Sequence, residues 1–330
     1  MTHTVGDSAV TAIGQPAPVR FDRASLARRL RSLGLAMWKH RWLYVLITPP
    51  LLYFLVFKYW PLWNTQIAFK DFKPLLGVEA SPFVGFKHFT AFFNSFYFSQ
   101  LIGNTLIFSA LKLVFGMPMA IILALALYET RFSFMRKIAQ NLSYLPHFLS
   151  WVIVFGILLA MLSPGSGLIN DMIKAGGGQP IAFLTSPEWF RIVVIGSDIW
   201  KETGWSTILY LAALLAIDPV LFEAAAVDGA SRVQRIRHIS LPGILPVIVV
   251  VTLLRLGTIL DAGFGQIFVL YSLPVYSVGD IIDTWVYRQG ILEFQFSLAT
   301  AVGLFKGLIG LTLLVVSNKI AKRLAGSNLY

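Results

Sequence analysis

The chain has 330 residues, 56% of them hydrophobic and only 13% charged, with a mean hydropathy of +0.71; an ordinary soluble domain carries about 25% charged residues, so this composition is that of an integral membrane protein. It contains no cysteine, which excludes disulfides, thiol catalysis and thiolate metal sites. The net charge of +11 is distributed by loop rather than along a groove, a pattern that membrane topology explains better than nucleic-acid binding.

In chain order, residues 1–19 are small and polar. They lack the apolar core of a cleaved signal peptide and are expected to form a disordered tail. Residues 20–41 carry seven basic groups (Arg20, Arg23, Arg28, Arg29, Arg31, Lys39 and Arg41) and one acid. That charge is sufficient as a juxtamembrane stop for the first span. The span covers residues 42–60. Pro49-Pro50 is expected to kink it, and Trp and Tyr at both ends form an interfacial belt. About forty residues of mixed polarity follow. The aromatics at 68–72 and 83–89 suit either an amphipathic segment on the outer membrane face or a packed extracytoplasmic loop.

Further spans are expected at 101–128, 138–162, 192–217, 243–271 and 298–317. Internal Gly116, Pro118, Gly257, Gly263 and Gly265 are tolerated where neighbouring helices satisfy the freed backbone groups. Six spans place both termini on one side. The N-terminal segment, the 129–137 loop, the 218–242 loop and the tail hold sixteen Lys and Arg, the alternate loops six. The bias puts the first set in the cytoplasm.

The 218–242 loop reads as two short helices joined by a turn. Asp218 caps the first, with Pro219 at its first position, where a missing N–H costs nothing. The alanine-rich run from Glu223 favours helix. Asp228-Gly229 signals the turn, Gly229 tolerating positive φ. Ser231 and Gln234 form a capping box for the second helix, which Pro242 is expected to end.

Glu223-Ala224-Ala225, then Gly229, then Ile239 and Leu241-Pro242, resemble the cytoplasmic coupling-loop (EAA) motif of permease subunits in binding-protein-dependent ABC importers. Residues 61–71 (PLWNTQIAFKD), 144–151 (YLPHFLSW), 199–205 (IWKETGW) and 280–287 (DIIDTWVY) look like the carbohydrate branch of that family, nearest to permeases for oligo- or polysaccharide fragments such as alginate. The resemblance covers nearly everything after residue 42. It implies an all-α integral membrane protein of six transmembrane helices with the type I ABC importer permease fold. It also implies a bacterial inner-membrane location and alternating access.

The implied partners are a second related permease, two cytoplasmic ATPase subunits and an extracytoplasmic sugar-binding protein. No cofactor is implied for this chain; ATP and magnesium belong to the ATPase subunits. In the family the acid at the Glu223 position pairs with a basic group of the ATPase. Ala224 and Ala225 would let the helix sit close in a cleft, beside the Asp228-Gly229 bend. The chain then divides into a basic cytoplasmic segment (1–41), a first span with its outer loop (42–100), a transmembrane core (101–318) and a tail (319–330).

Charges inside spans carry the remaining functional signal. Asp198, Lys201 and Glu202 fall at i, i+3 and i+4, on one helix face. Isolated charges in hydrocarbon cost about 2.5–3.5 kcal/mol each, so these must face the bundle interior or a wet cavity. Trp200 and Trp205 stand close by, as a sugar-lined path would need. Arg255, Asp261 and Lys306 also lie within spans. Arg255 and Asp261 are six residues apart, so each must pair with another element. Lys306 is too central to reach the interface. A bracing salt-bridge network and direct substrate contact both fit these residues. The cations Lys201, Arg255 and Lys306 would favour an acidic, uronate-type sugar.

No G-x-x-x-x-G-K-[ST] stretch is present, so the chain has no phosphate cradle. Gly176-Gly177-Gly178 reads as a turn, and the five histidines show no metal-ligand spacing, His147 included. A secondary carrier should show internal repeats, which are not evident. A membrane enzyme acting on lipid-linked sugars would rest on Asp280 and Asp283 alone.

Overall fold

The computed structural model describes residues 38–325. Most of the predicted basic segment and the end of the tail lie outside the described residues. The chain divides into two compact units, the first ending at Trp63 and the second beginning at Asn64.

The first unit holds α1 (Arg41–Phe54), followed by a π turn (Leu55–Tyr59) and a 3-10 stretch from Trp60. α1 continues through Pro49 and Pro50, and its departure from α geometry falls beyond them rather than at them. The Arg41 guanidinium lies 5.1 Å over the Trp38 ring and 5.6 Å over Trp42. A cation over indoles at the head of an apolar helix is the chemistry of an interfacial anchor.

The second unit opens on a loop containing α2 (Lys87–Phe93). This stretch packs in part on the rest of the unit, while Phe83, Phe86 and Phe96 stay exposed. Ala68 and Phe92 are buried, the Phe72 N–H donates to Ser297 Oγ at 2.9 Å, and Phe92 meets Trp285 with ring centroids 5.4 Å apart. α3 (Phe98–Leu111) runs through a π turn (Lys112–Gly116) into α4 (Met117–Glu129), a single 32-residue apolar helix.

Two predicted spans are broken. The 138–162 run divides into α5 (Ser133–Tyr144), with a 3-10 extension at Leu145–Phe148, and α6 (Trp151–Leu162), bent by 104°. Ser150 makes the break, its Oγ accepting from the Ile153 N–H at 3.3 Å to cap α6. A capped start in mid-span lets an apolar run change direction without orphaning donors.

After α7 (Leu168–Ala175) the triple glycine turns as expected, Gly177 at φ +82°. α8 (Pro187–Leu215) follows, 29 residues long, then α9 (Pro219–Val227), α10 (Arg232–Arg235) and α11 (Leu241–Gly257). The predicted 243–271 span breaks beyond Gly257. A 3-10 turn (Ile259–Asp261) leads into Ala262 at φ +46° and Gly263 at φ +83°, and only then does α12 (Phe264–Leu270) start. Two successive left-handed residues cannot continue an α-helix. α13 (Ile282–Tyr287) and α14 (Phe296–Ala325) complete the fold.

Three buried clusters hold the unit. Phe108, Phe190, Val194 and Ile267 join α3, α8 and α12. Ala120, Ala124, Tyr210, Leu214 and Ile244 join α4, α8 and α11. Phe92, Leu101, Trp285 and Val302 join α2, α3, α13 and α14. α3 and α8 each contribute to two of them.

Lipid gives apolar side chains no reason to leave it, so close backbone approach and hydrogen bonds must do the holding. Accordingly Ala120 and Ala124 let α4 close on α8, where Thr207 Oγ1 donates to the Ala120 carbonyl at 3.1 Å. On α5, Arg136, Gln140 and Ser143 are half-buried, while Phe134, Ile138 and Leu142 are exposed together with Lys137 and Asn141.

Gly204 on α8 sits against the Ser143 backbone, where any Cβ would overlap the carbonyl, whereas Gly196 on the same helix meets open space. Gly204→Ala is expected to lower stability by about 1–3 kcal/mol through overpacking. Gly196→Ala should be neutral or gain up to about 1 kcal/mol from helix propensity. Thermal unfolding of the two variants in the same detergent, followed by tryptophan fluorescence, checks the difference.

Candidate functional site

The 218–242 hairpin is built by local chemistry. Asp218 Oδ1 accepts from the Val220 N–H at 2.9 Å, capping α9 as expected. At the other end Gly229 takes φ +77°. Its N–H bonds to the Ala226 carbonyl at 3.1 Å, while the Ala230 N–H reaches back to Ala225 at 2.8 Å. This pair is a Schellman motif, which needs a residue free to adopt positive φ. The capping box is present: Gln234 Oε1 accepts from the Ser231 N–H at 2.7 Å and Ser231 Oγ from the Gln234 N–H at 3.4 Å.

Pro242 does not end the second helix. α10 passes through a π turn (Ile236–Ser240) directly into α11, one continuous helix from Arg232 to Gly257. The wider turn falls just where the proline ring would otherwise strike the preceding carbonyls. α9 leaves α8 at 70°. Val220, Glu223, Ala224 and Val227 share its exposed face, at helical spacing. Among the described residues Glu223 makes no ion pair. Asp228 is exposed at the C-cap, while Ile239 and Leu241 are half-buried in the continuous helix.

A second constellation surrounds a cavity of about 300 Å³ whose polar walls are Lys112, Asp198, Glu202, Arg255, Thr258 and Asp261. Lys112 Nζ lies 2.9 Å from Asp198 Oδ1 and 2.5 Å from Gln266 Oε1. The Gln266 amide is buried and donates onward to the Val194 carbonyl at 2.7 Å and Ser197 Oγ at 2.9 Å. Lys112 also fills the space a side chain at Gly263 would need. One ammonium thus ties the π turn after α3 to α8 and to the left-handed break before α12.

Asp198 and Glu202 reach the cavity together, but Lys201 turns away from it. Its ammonium is buried, donates to the His147 carbonyl at 2.7 Å, pairs with Glu202 Oε1 at 3.0 Å and lies 5.3 Å over Trp151. His147 is not isolated: its Nδ1 is 2.8 Å from Glu202 Oε2 and its ring stacks on Trp205 at 4.5 Å, inclined by 3°. These contacts fasten the α5–α6 break to α8. Trp205 also lines an adjoining apolar pocket with Leu209 and Arg255; like Trp200, it stands exposed.

Arg255 and Asp261 each reach another element. Arg255 donates to Ser206 Oγ at 2.8 Å. Asp261 accepts from Lys306 at 2.7 Å, and the same ammonium holds Asp283 at 2.7 Å. Lys306 therefore lies behind the Asp261 wall, not on the cavity. Asp280 is buried against Arg288 at 2.6 Å, so neither Asp280 nor Asp283 stands unpaired. Lys112 and Gln266 were not singled out from sequence. Lys112 lies inside the 101–128 span, so the rule that singled out Lys306, a charge in an apolar run, applies to it equally.

Residues 116–327 match the family described as binding-protein-dependent transport system inner membrane component. The chain belongs to this family. It is 44% identical over 300 residues, 91% of this chain and 94% of the relative, to the polygalacturonan/rhamnogalacturonan transport system permease protein YteP of Bacillus subtilis (strain 168). Identity to protein LplB of the same organism is also 44%, over 89% of this chain and 93% of the relative. A solved bacterial ABC transporter involved in the import of the acidic polysaccharide alginate shares its fold, with a TM-score of 0.83 at 41% identity, covering 89% of this chain and 99% of that one. As the inner-membrane component of such a system the chain is a permease, not an enzyme. The family match takes in the whole hairpin and the α8 and α11 walls of the cavity; Ser109 and Lys112 precede it.

Lys112→Met leaves Asp198 charged and largely buried without its partner, an error that costs about 3–5 kcal/mol. The double variant Lys112→Met/Asp198→Asn removes both charges and is expected to recover at least half of that loss. Unfolding midpoints of the two single variants and the double variant give the coupling.

Proposed function

We propose that this permease is one membrane subunit of an ATP-driven importer that moves oligosaccharides or polysaccharide fragments, uronate chains of alginate or pectic type among them, from an extracytoplasmic binding protein into the cytoplasm. The observation that carries the substrate class is the near-full-length likeness to a polygalacturonan/rhamnogalacturonan permease, joined by a shared fold with an alginate importer. A second, related permease completes the pore. Two cytoplasmic ATPase subunits supply the drive and hold the ATP and magnesium. Residues 1–41 and 319–330 are the cytoplasmic ends of the chain, and 101–318 its transport core.

In this reading α9 is the docking element for an ATPase subunit. Glu223 offers an unpaired carboxylate amid an apolar exposed face (Val220, Ala224, Val227), suited to a cleft with a basic group. Ala224 and Ala225 allow close approach, Asp228-Gly229 sets the bend, and Ile239, Leu241 and Pro242 carry the movement into α11. Closure of the ATPase pair moves the hairpin as a lever, α8 and α11 rock, and the cavity between them changes the side it faces. Asp198, Glu202 and Arg255 line the path, Lys201 and Lys306 brace its walls, and Trp205 and Trp200 offer aromatic faces to sugar rings.

Reconstituted in liposomes with the partner subunits and binding protein, the permease should take up galacturonan oligosaccharides only when ATP is present inside with the ATPases. Uptake without ATP would place it among secondary carriers. Glu223→Lys and Gly229→Val should each lower sugar-stimulated ATP hydrolysis and uptake about tenfold, a loss of about 1.4 kcal/mol in coupling. Membrane insertion, read by protease protection, should be unchanged.

A further inference from the structure

Charge pairing around the cavity singles out one residue. Its carboxylates each hold a cation: Asp198 has Lys112 at 2.9 Å, Glu202 has Lys201 at 3.0 Å, and Asp261 has Lys306 at 2.7 Å. Those three lysines are thereby spent on bracing. Arg255 alone, among the described residues, lines the cavity as a cation with no carboxylate partner; its one side-chain hydrogen bond is to a neutral hydroxyl, Ser206 Oγ at 2.8 Å. A guanidinium has five N–H donors, and this contact leaves four uncommitted. An unpaired charge within the bundle is costly, so its retention there calls for a ligand of opposite sign.

We propose that Arg255 is the specificity-determining residue of the permease, receiving one carboxylate of a uronate-bearing saccharide in a forked, two-hydrogen-bond contact. The inference rests on the saccharide-importer reading above and goes beyond it by assigning selectivity for acidic chains to a single side chain. Ser206 fixes the fork from one side, and Thr258 on the same wall donates its hydroxyl to the Arg255 carbonyl at 3.3 Å. The planar fork matches a carboxylate in two places, which a lysine cannot do. Lys112, Lys201 and Lys306 take no part in selection, because releasing any of them would strand a carboxylate.

The test uses the assembled importer with its binding protein. Uptake of an oligogalacturonate and of its fully methyl-esterified counterpart is measured for wild type, Arg255→Gln and Arg255→Lys. Each variant is referred to wild type with the same sugar, so that any preference of the binding protein cancels. For Arg255→Gln the expected result is a KM for the acid form raised about 10- to 100-fold, the ester staying within about twofold. Arg255→Lys should fall between, since it keeps the charge and loses the fork. Equal loss for both sugars, or none for either, overturns the assignment. If Arg255→Gln fails to assemble, the acid-to-ester ratio of Arg255→Lys decides: an unchanged ratio overturns it and a lowered one supports it. Wild type that moves neither sugar defeats the importer reading itself, a separate outcome.

Discussion

The contact between Lys112 and Asp198 joins parts of the molecule that sequence keeps far apart. Lys112 stands at the start of a π turn, Asp198 in the middle of α8, and the same ammonium reaches Gln266 on α12. In water such a contact would be worth little. Within a bundle surrounded by lipid it constrains everything near it, because none of its members can be left without the others. α8 cannot turn about its axis, and the left-handed break before α12 cannot straighten, without exposing a bare charge to hydrocarbon. The hydrophobic clusters around it fill space, but the polar contacts select one arrangement among the many that apolar helices would accept.

The same rule accounts for the broken helices. A run of apolar residues reports that a segment lies in the membrane and says nothing of its direction. The 138–162 and 243–271 runs were legible as membrane segments, and their breaks were not. Ser150 caps a new helix where the sequence shows only a serine amid aromatics, and Ala262 adopts a backbone conformation that nothing in its identity announces. Each break then exposes backbone groups that must meet side chains from elsewhere. The Lys201 ammonium meets the His147 carbonyl at the first, and Ser109 Oγ meets the Ile259 carbonyl at the second.

The hairpin was the most legible part, because its determinants are local. Asp218, Gly229, Ser231 and Gln234 act within three or four residues of themselves, and each does what its chemistry dictates. Only Pro242 departed, absorbed by a π turn whose hydrogen-bond pattern no local rule foretells. The cavity was half legible. Charges in apolar runs mark themselves, so Asp198, Glu202, Arg255 and Asp261 stood out. Which ammonium serves which carboxylate depends on contacts between distant elements, and a single sequence carries no record of them. Lys306 proved to bridge Asp261 and Asp283, and Lys201 to hold a backbone carbonyl, once the helices were in position.

The π turn between α10 and α11 has a geometric consequence. A π turn accommodates one residue more than the α-helix around it, and one residue subtends about 100° of azimuth. The basic face of α10, with Arg232 and Arg235, is therefore clocked out of phase with the seam that α11 presents through Ile244, Val247 and Val251. One end of a single helix can meet an aqueous surface at a bearing chosen for that surface alone. The other end keeps the azimuth its neighbours in the bundle demand.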